Sequence, residues 1–140
     1  MRFVDASVFL HTYLRPARTP LPPEIETMKD KARRIVRRIS EGEQVATSLV
    51  HISEISNILE ARAGLQIALD ILSGLFTLPN LVVLEPSTDS YQSALDESRS
   101  HAVGVNAALA SILMKREEIS EIYSFDRDYD RLKSVTRIAD

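Results

Sequence analysis

The chain reads as an α/β protein in three layers, a short parallel sheet covered on both faces by helices. Three observations predict this. Short apolar runs ("RFVD", "QVATS", "LVVLEP", "EIYSF") recur along the sequence and read as strands. Longer stretches with apolar residues at helical spacing lie between them, and regular alternation of this kind packs as a parallel sheet. "LVVLEP" is also apolar without interruption, the pattern of a strand buried on both faces.

In order, Arg2–Asp5 is a short strand and Ser7 is placed to cap a brief helix running to about Tyr13. "RPARTPLPPE" holds four of the six prolines and is a loop. From Glu24 a long helix follows, with Ile25, Met28, Ala32, Ile35, Val36 and Ile39 at helical spacing and Gly42 ending it. Gln44–Ser48 is a strand. Leu49–Arg62 is a helix stopped by Gly64, and Leu65–Phe76 is a further helix whose apolar character suits core or a dimer surface. Leu81–Pro86 is a strand closed by proline. Ser87 or Thr88 opens a helix to about Ser100, and Val103–Glu117 forms another. Glu121–Phe125 is the fourth strand, followed by one helical turn and a last strand in "VTRIA". No repeat, low-complexity tract or linker divides the chain, so residues 1–140 are expected to form one domain, long enough to bury roughly two-thirds of its unfolded surface.

Composition narrows the function. With 44% hydrophobic and 26% charged residues the chain is an ordinary globular one. Its net charge of −3 gives no overall basic field, so a nucleic acid would have to be met by a local patch. One candidate is "KDKARRIVRRIS", where Arg33, Arg34, Arg37 and Arg38 form i, i+4 pairs on one helix face. Such a stripe suits phosphates or an acidic partner segment, although an ordinary solvated face is the leading reading. The absence of cysteine excludes disulfides, thiolate metal sites and thiol nucleophiles. No apolar run approaches the ~20 residues that span a bilayer. "MRFVDAS" enters a strand with no signal-type segment, so a cytoplasmic location and no membrane partner are expected.

Acids gather where strands end. In open α/β sheets, sites form at the carboxyl ends of the strands. Asp5 follows "RFV" and Asp126 follows "IYSF". Glu54 lies about two turns into the helix after the second strand, at the margin of an arc made by Leu49, Ile52, Ile55 and Leu59. A carboxylate there is half-buried and needs a partner. Several carboxylates in one pocket raise one another's pKa, and a hard divalent cation removes that conflict. Magnesium, which prefers oxygen ligands, is the natural choice.

"VDAS", "HISEISN" and "IYSFDRDYDRL", in this order and at these spacings, resemble the PIN-domain ribonucleases, notably the VapC toxins of prokaryotic toxin–antitoxin pairs. The resemblance covers nearly the whole chain. It implies an endoribonuclease with Mg²⁺ or Mn²⁺ among four acids, leaving 5′-phosphate and 3′-hydroxyl ends. It further implies a homodimer and a cognate VapB-like antitoxin. By this resemblance Asp5 is the first acid, Glu54 the second and Asp126 the fourth, with Asp128 an auxiliary acidic ligand and Ser124 a supporting hydroxyl.

The third acid departs from the pattern. The family places an aspartate at the start of the penultimate helix, whereas this chain reads "GVNAALASILMKRE", with Ala107 at the matching position and Asn106 beside it. Either an alanine has replaced an acid to inactivate the enzyme or a natural member has lost one; the otherwise intact motifs favour replacement. Weakened or abolished turnover is the expectation. The alternative is a catalytically dead PIN-like domain that binds RNA or an antitoxin. His51 and the other histidines are read as structural, and Asp130 as a solvated surface acid. Two other acid-bearing α/β enzymes fail on the residues. A phospho-accepting receiver needs an aspartate ending the central strand, where "LVVLEP" offers only Glu85. A haloacid-dehalogenase-type phosphatase needs a second aspartate where Ser7 stands.

Overall fold

The structure, a computed structural model, describes residues 1–16 and 20–140. Five strands, β1 (Arg2–Val4), β2 (Val45–Ser48), β3 (Leu81–Leu84), β4 (Glu121–Tyr123) and β5 (Thr136–Ile138), form one all-parallel sheet in the order β3-β2-β1-β4-β5. Between them run α1 (Ala6–Tyr13), α2 (Pro23–Ser40), α3 (Leu49–Ala63), α4 (Leu65–Phe76), α5 (Thr88–His101) and α6 (Val105–Arg116). A 3-10 turn over Arg127–Arg131 precedes β5.

The two-residue period of a strand sorts the core into two halves. Phe3, Ala46 and Ile122 point to one face and pack with α5, α6 and the 3-10 turn. Val4, Val45 and Tyr123 point to the other, against the side chains of α1 to α4. Register keeps the halves aligned, since Phe3 pairs with both Ala46 and Ile122 and Val4 pairs with Tyr123. The three-layer α/β/α architecture follows. Helix α6 is apolar nearly all round, with Ala107, Ala108, Leu109, Ala110, Leu113 and Met114 buried, and its small residues let it lie close to the sheet.

Local chemistry sets several boundaries differently from the sequence reading. Asp5, not Ser7, caps α1, because its carboxylate accepts the Ser7 backbone N–H. Helix α6 begins at Val105 rather than Val103, since Ala102 adopts a left-handed conformation (φ 53°) that ends α5. Residues 17–19 of the proline-rich loop lie outside the described residues; α2 starts at Pro23, where a missing N–H costs nothing. Leu49 is 46% exposed, so it does not belong to the buried arc of α3. Lys29 is buried and donates to the carbonyls of His11 and Leu14, binding α2 to the end of α1. Among the described residues no helix is long and apolar enough to cross a membrane.

Candidate functional site

The parallel pairing of β1 with β4 brings Asp5 and Ser124, the residues that leave these two strands, side by side. The Asp5 amide still pairs with the Tyr123 carbonyl at 3.0 Å, so the acid is fixed by the sheet itself. Its carboxylate is 7% exposed and surrounded by donors. Oδ2 accepts from Ser7 Oγ at 2.7 Å and from Ser124 Oγ at 2.8 Å, and Oδ1 accepts from the buried Tyr129 hydroxyl at 3.1 Å. Ser124 Oγ in turn accepts the Asp126 N–H at 2.9 Å. Asp126 opens the 3-10 turn, where its Oδ1 accepts the Asp128 N–H at 2.9 Å. Both aspartates therefore cap a helical turn while facing the strand ends.

Asp5, Glu54 and Asp126 line one cleft of about 420 Å³ together with Ser7, Asn106 and Ala107. The structure thus brings the three acids together from segments about fifty and seventy residues apart. The first turn of α6 forms the remaining wall and carries no acid. Burial raises the Glu54 pKa, and the charge of Asp5 raises it further, while the nearby Asn106 side chain works against both. Asp126 is raised too, first by burial and then by Asp128 and Asp5, with its hydrogen bond from the Asp128 amide and the charge of Arg137 opposing. Tyr129 is pushed well above the usual phenol value by burial and by Asp5. The cleft carries more negative charge than its own donors neutralise. Even so, among the described residues no three His, Asp or Glu side chains stand close enough to hold one ion between them.

Other residues singled out in the sequence lie elsewhere. Asp128 does not line the cleft; its Oδ2 accepts the Gly104 N–H at 2.9 Å. Asp130 pairs with Arg137 at the surface. Arg33 pairs with Asp30, Arg34 with Asp140 and Arg38 with Glu43, while Arg37 is exposed. Arg38 also stacks on Tyr123 beside Arg2, at the end of the sheet opposite the cleft. The stripe is not brought to the acids. An apolar groove of about 640 Å³ does adjoin them, sharing Ser7 and Leu10, floored by Leu14, Ile25 and Ile58 and rimmed by Arg15 and Arg62.

Two further residues stand at the site: Tyr129, which the sequence reading did not single out, and His51, which it read as structural. Tyr129 follows Asp126 by three residues, and a tyrosine buried there needs an acceptor, which Asp5 supplies. His51 stands behind Asp5, fully buried, with Nε2 4.0 Å from Oδ1. Its place one helical turn before Glu54 put it within reach of the site, but a structural role was the favoured reading.

The architecture is that of known toxins. VapC20 of Mycobacterium tuberculosis, described as a sarcin–ricin-loop-cleaving toxin, superposes with a TM-score of 0.73 over 95% of each chain at 18% identity. A toxin–antitoxin complex from Klebsiella pneumoniae matches with a TM-score of 0.62 over 97% of this chain and 96% of that one, at 11% identity. VapBC2 from Rickettsia felis, bound to a DNA fragment from its promoter, matches with a TM-score of 0.61 over 98% and 96% at 13% identity. No curated protein matches the chain by sequence. The profile of the PIN domain matches residues 2–135, nearly the whole chain, and on that ground this protein belongs to the PIN domain family.

Proposed function

We propose that the chain is a metal-dependent endoribonuclease of the VapC toxin type, built as one PIN domain. The observation that carries this reading is the meeting of Asp5, Glu54 and Asp126 in one cleft at the strand ends. The similarity to VapC20, a sarcin–ricin-loop-cleaving toxin, supports RNA as the substrate class.

The donor set fits Mg²⁺ or Mn²⁺ in kind. It is all oxygen, and burial, with neighbouring negative charge adding to it, holds Glu54 and Asp126 above their ordinary pKa values, an imbalance that a cation relieves. Because no three of these groups converge on one point, the fit is to an ion that keeps several waters and takes one or two carboxylates directly. Asp5 and Asp126 are the residues that would hold it; Asp128, engaged by Gly104, would act from outside the cleft.

Such a cation supplies an activated water and neutralises charge developing on the phosphate. The protein's own part is orientation and proton transfer. Ser7, Ser124 and Tyr129 fix the direction in which Asp5 faces the cleft. Glu54 lines the same cleft and is placed to take a proton from the attacking water. Asn106 and Ala107 stand at the third acidic position and neither ionises, so turnover is expected to be weak. The adjoining groove, with its apolar floor and its arginine rim, suits an amphipathic acidic segment of a VapB-like antitoxin. A homodimer is part of the same reading, and the exposed Leu65, Ile67, Leu69 and Phe76 of α4 are candidates for its surface.

The missing acid favours a second reading, a PIN domain that binds RNA or antitoxin without chemistry. The test is cleavage of structured RNA with Mg²⁺ by the wild type, Asp5→Asn, Asn106→Asp and Ala107→Asp. The first reading expects slow cleavage that chelation and Asp5→Asn abolish and an added carboxylate enhances. Cleavage absent from all four proteins, with RNA or antitoxin binding that charge reversal at Arg34 or Arg38 abolishes, would leave the second.

A further inference from the structure

We infer that His51 is a positioning residue of the cleft, fixed by Ser48 as the Nε2–H tautomer so that its ring N–H aims the inner oxygen of Asp5. His51 lies in the first turn of α3 and is fully buried. Its ring stands edge-on to Phe3, 5.2 Å between centroids at 76°, which fixes its plane. Nδ1 is 2.6 Å from Ser48 Oγ.

Ser48 decides the tautomer. As the cap of α3 its Oγ already accepts the His51 backbone N–H at 3.3 Å. The one good destination left for its own proton is Nδ1. With Nδ1 protonated instead, the serine hydrogen would be stranded in a fully buried place and a bare Nε2 lone pair would face a carboxylate. Both are costly arrangements. Nε2 therefore carries the hydrogen.

Among the described residues, Nε2 of His51 is the buried side-chain polar atom that lacks a hydrogen-bond partner. Asp5 Oδ1 lies 4.0 Å away. Oδ2 is already taken by Ser7 and Ser124, whereas Oδ1 has Tyr129 alone. At 4.0 Å the ring N–H acts on Oδ1 through its dipole and leaves that oxygen's second lone pair to a ligand. A backing donor of this kind sets the direction of a ligating carboxylate. The use of Asp5 as a ligand rests on the function proposed above; its aiming by His51 does not.

Imidazole ¹⁵N–¹H correlation spectra of the wild type, Asp5→Asn and Ser48→Ala test the arrangement, alongside Mn²⁺ titrations of the wild type, His51→Leu and His51→Gln. The expected spectrum is the Nε2–H form, with an Nε2 signal that moves in Asp5→Asn and tautomers that mix in Ser48→Ala. His51→Leu is expected to weaken Mn²⁺ about tenfold or more, and His51→Gln, which keeps an N–H at similar reach, to restore most of it. The glutamine variant also serves if the leucine variant unfolds. An Nδ1–H ring, a ring signal indifferent to Asp5→Asn, or Mn²⁺ affinity unchanged in a folded His51→Leu protein would overturn the inference. A wild type that binds no Mn²⁺ while its ring still answers to Asp5→Asn would instead sink the metal reading and leave His51 aiming Asp5.

Discussion

Ser124 Oγ donates to Asp5 Oδ2 at 2.8 Å and accepts the Asp126 amide at 2.9 Å, so one buried hydroxyl ties together two acids that are 121 residues apart in sequence. Parallel pairing makes this possible, since Val4 opposite Tyr123 sets the following residues side by side. Ser124→Ala leaves the Asp126 N–H without its acceptor and Asp5 with one donor fewer. The expected loss is about 1 kcal/mol of stability by urea unfolding and about tenfold in Mn²⁺ affinity. An unchanged affinity would show that Asp5 is held well enough by Ser7 and Tyr129.

The metal-free cleft carries an internal electrostatic cost. Glu54 and Asp126 bind protons more tightly folded than unfolded, chiefly through burial. Their contribution to stability is complete below the ordinary carboxylate pKa of about 4 and is lost as pH rises through their raised folded values. Glu54→Gln is therefore expected to stabilise the chelated protein at neutral pH and to flatten its loss of stability above pH 4. Glu54 is partly exposed, and solvent screening limits the gain to the order of 1–2 °C in Tm. A melt series from pH 4 to 7 in chelator checks the sign.

The third wall distinguishes two neighbouring residues. Ala107 is 4% exposed and packs into the core with Phe3 and Leu109, whereas the Asn106 side chain reaches Glu54. Asn106→Asp is expected to fold normally and to raise Mn²⁺ affinity at least several-fold. Ala107→Asp places a charge at the rim of the core and is expected to cost about 1–3 kcal/mol for a smaller gain in binding. Calorimetric titration and urea unfolding of both variants decide between the positions.

Much of the architecture was legible because the segments that matter are locally consistent. The order of strands and helices follows from the alternation. The unbroken apolar run of β3, read as a strand buried on both faces, is instead an edge strand with Val82 42% exposed, because its place in the sheet is set by pairing and not by its own composition. Asp5, Glu54 and Asp126 were legible as acids beside strand ends, and the cleft unites them. The contacts behind them were not. Tyr129, His51 and Ser48 act through distances set by tertiary packing, and no spacing in the sequence encodes which hydroxyl reaches which carboxylate. Asp128, an auxiliary ligand by the family resemblance, has its Oδ2 bound to the Gly104 N–H, a contact that no spacing in the sequence encodes. Arg33, Arg34 and Arg38 have helical spacing but face acids away from the cleft, and Arg37 is exposed.

Lys29 gives a prediction about the scaffold alone. Its buried ammonium donates at 2.9 Å and 2.6 Å to two carbonyls, those of His11 and Leu14, near the end of α1. Lys29→Met keeps the apolar stem but strips those carbonyls of their donor. The expected cost is about 1–3 kcal/mol by urea unfolding; a neutral result would mean that water replaces the ammonium.

The account rests on one cation shared by the cleft, and anomalous scattering from a manganese-soaked crystal measures that directly. The predicted result is a single strong peak between Asp5 and Asp126 in the cleft that Glu54 also lines, absent from crystals of Asp5→Asn. No peak there at millimolar Mn²⁺, or a peak that persists unchanged in Asp5→Asn, would contradict it.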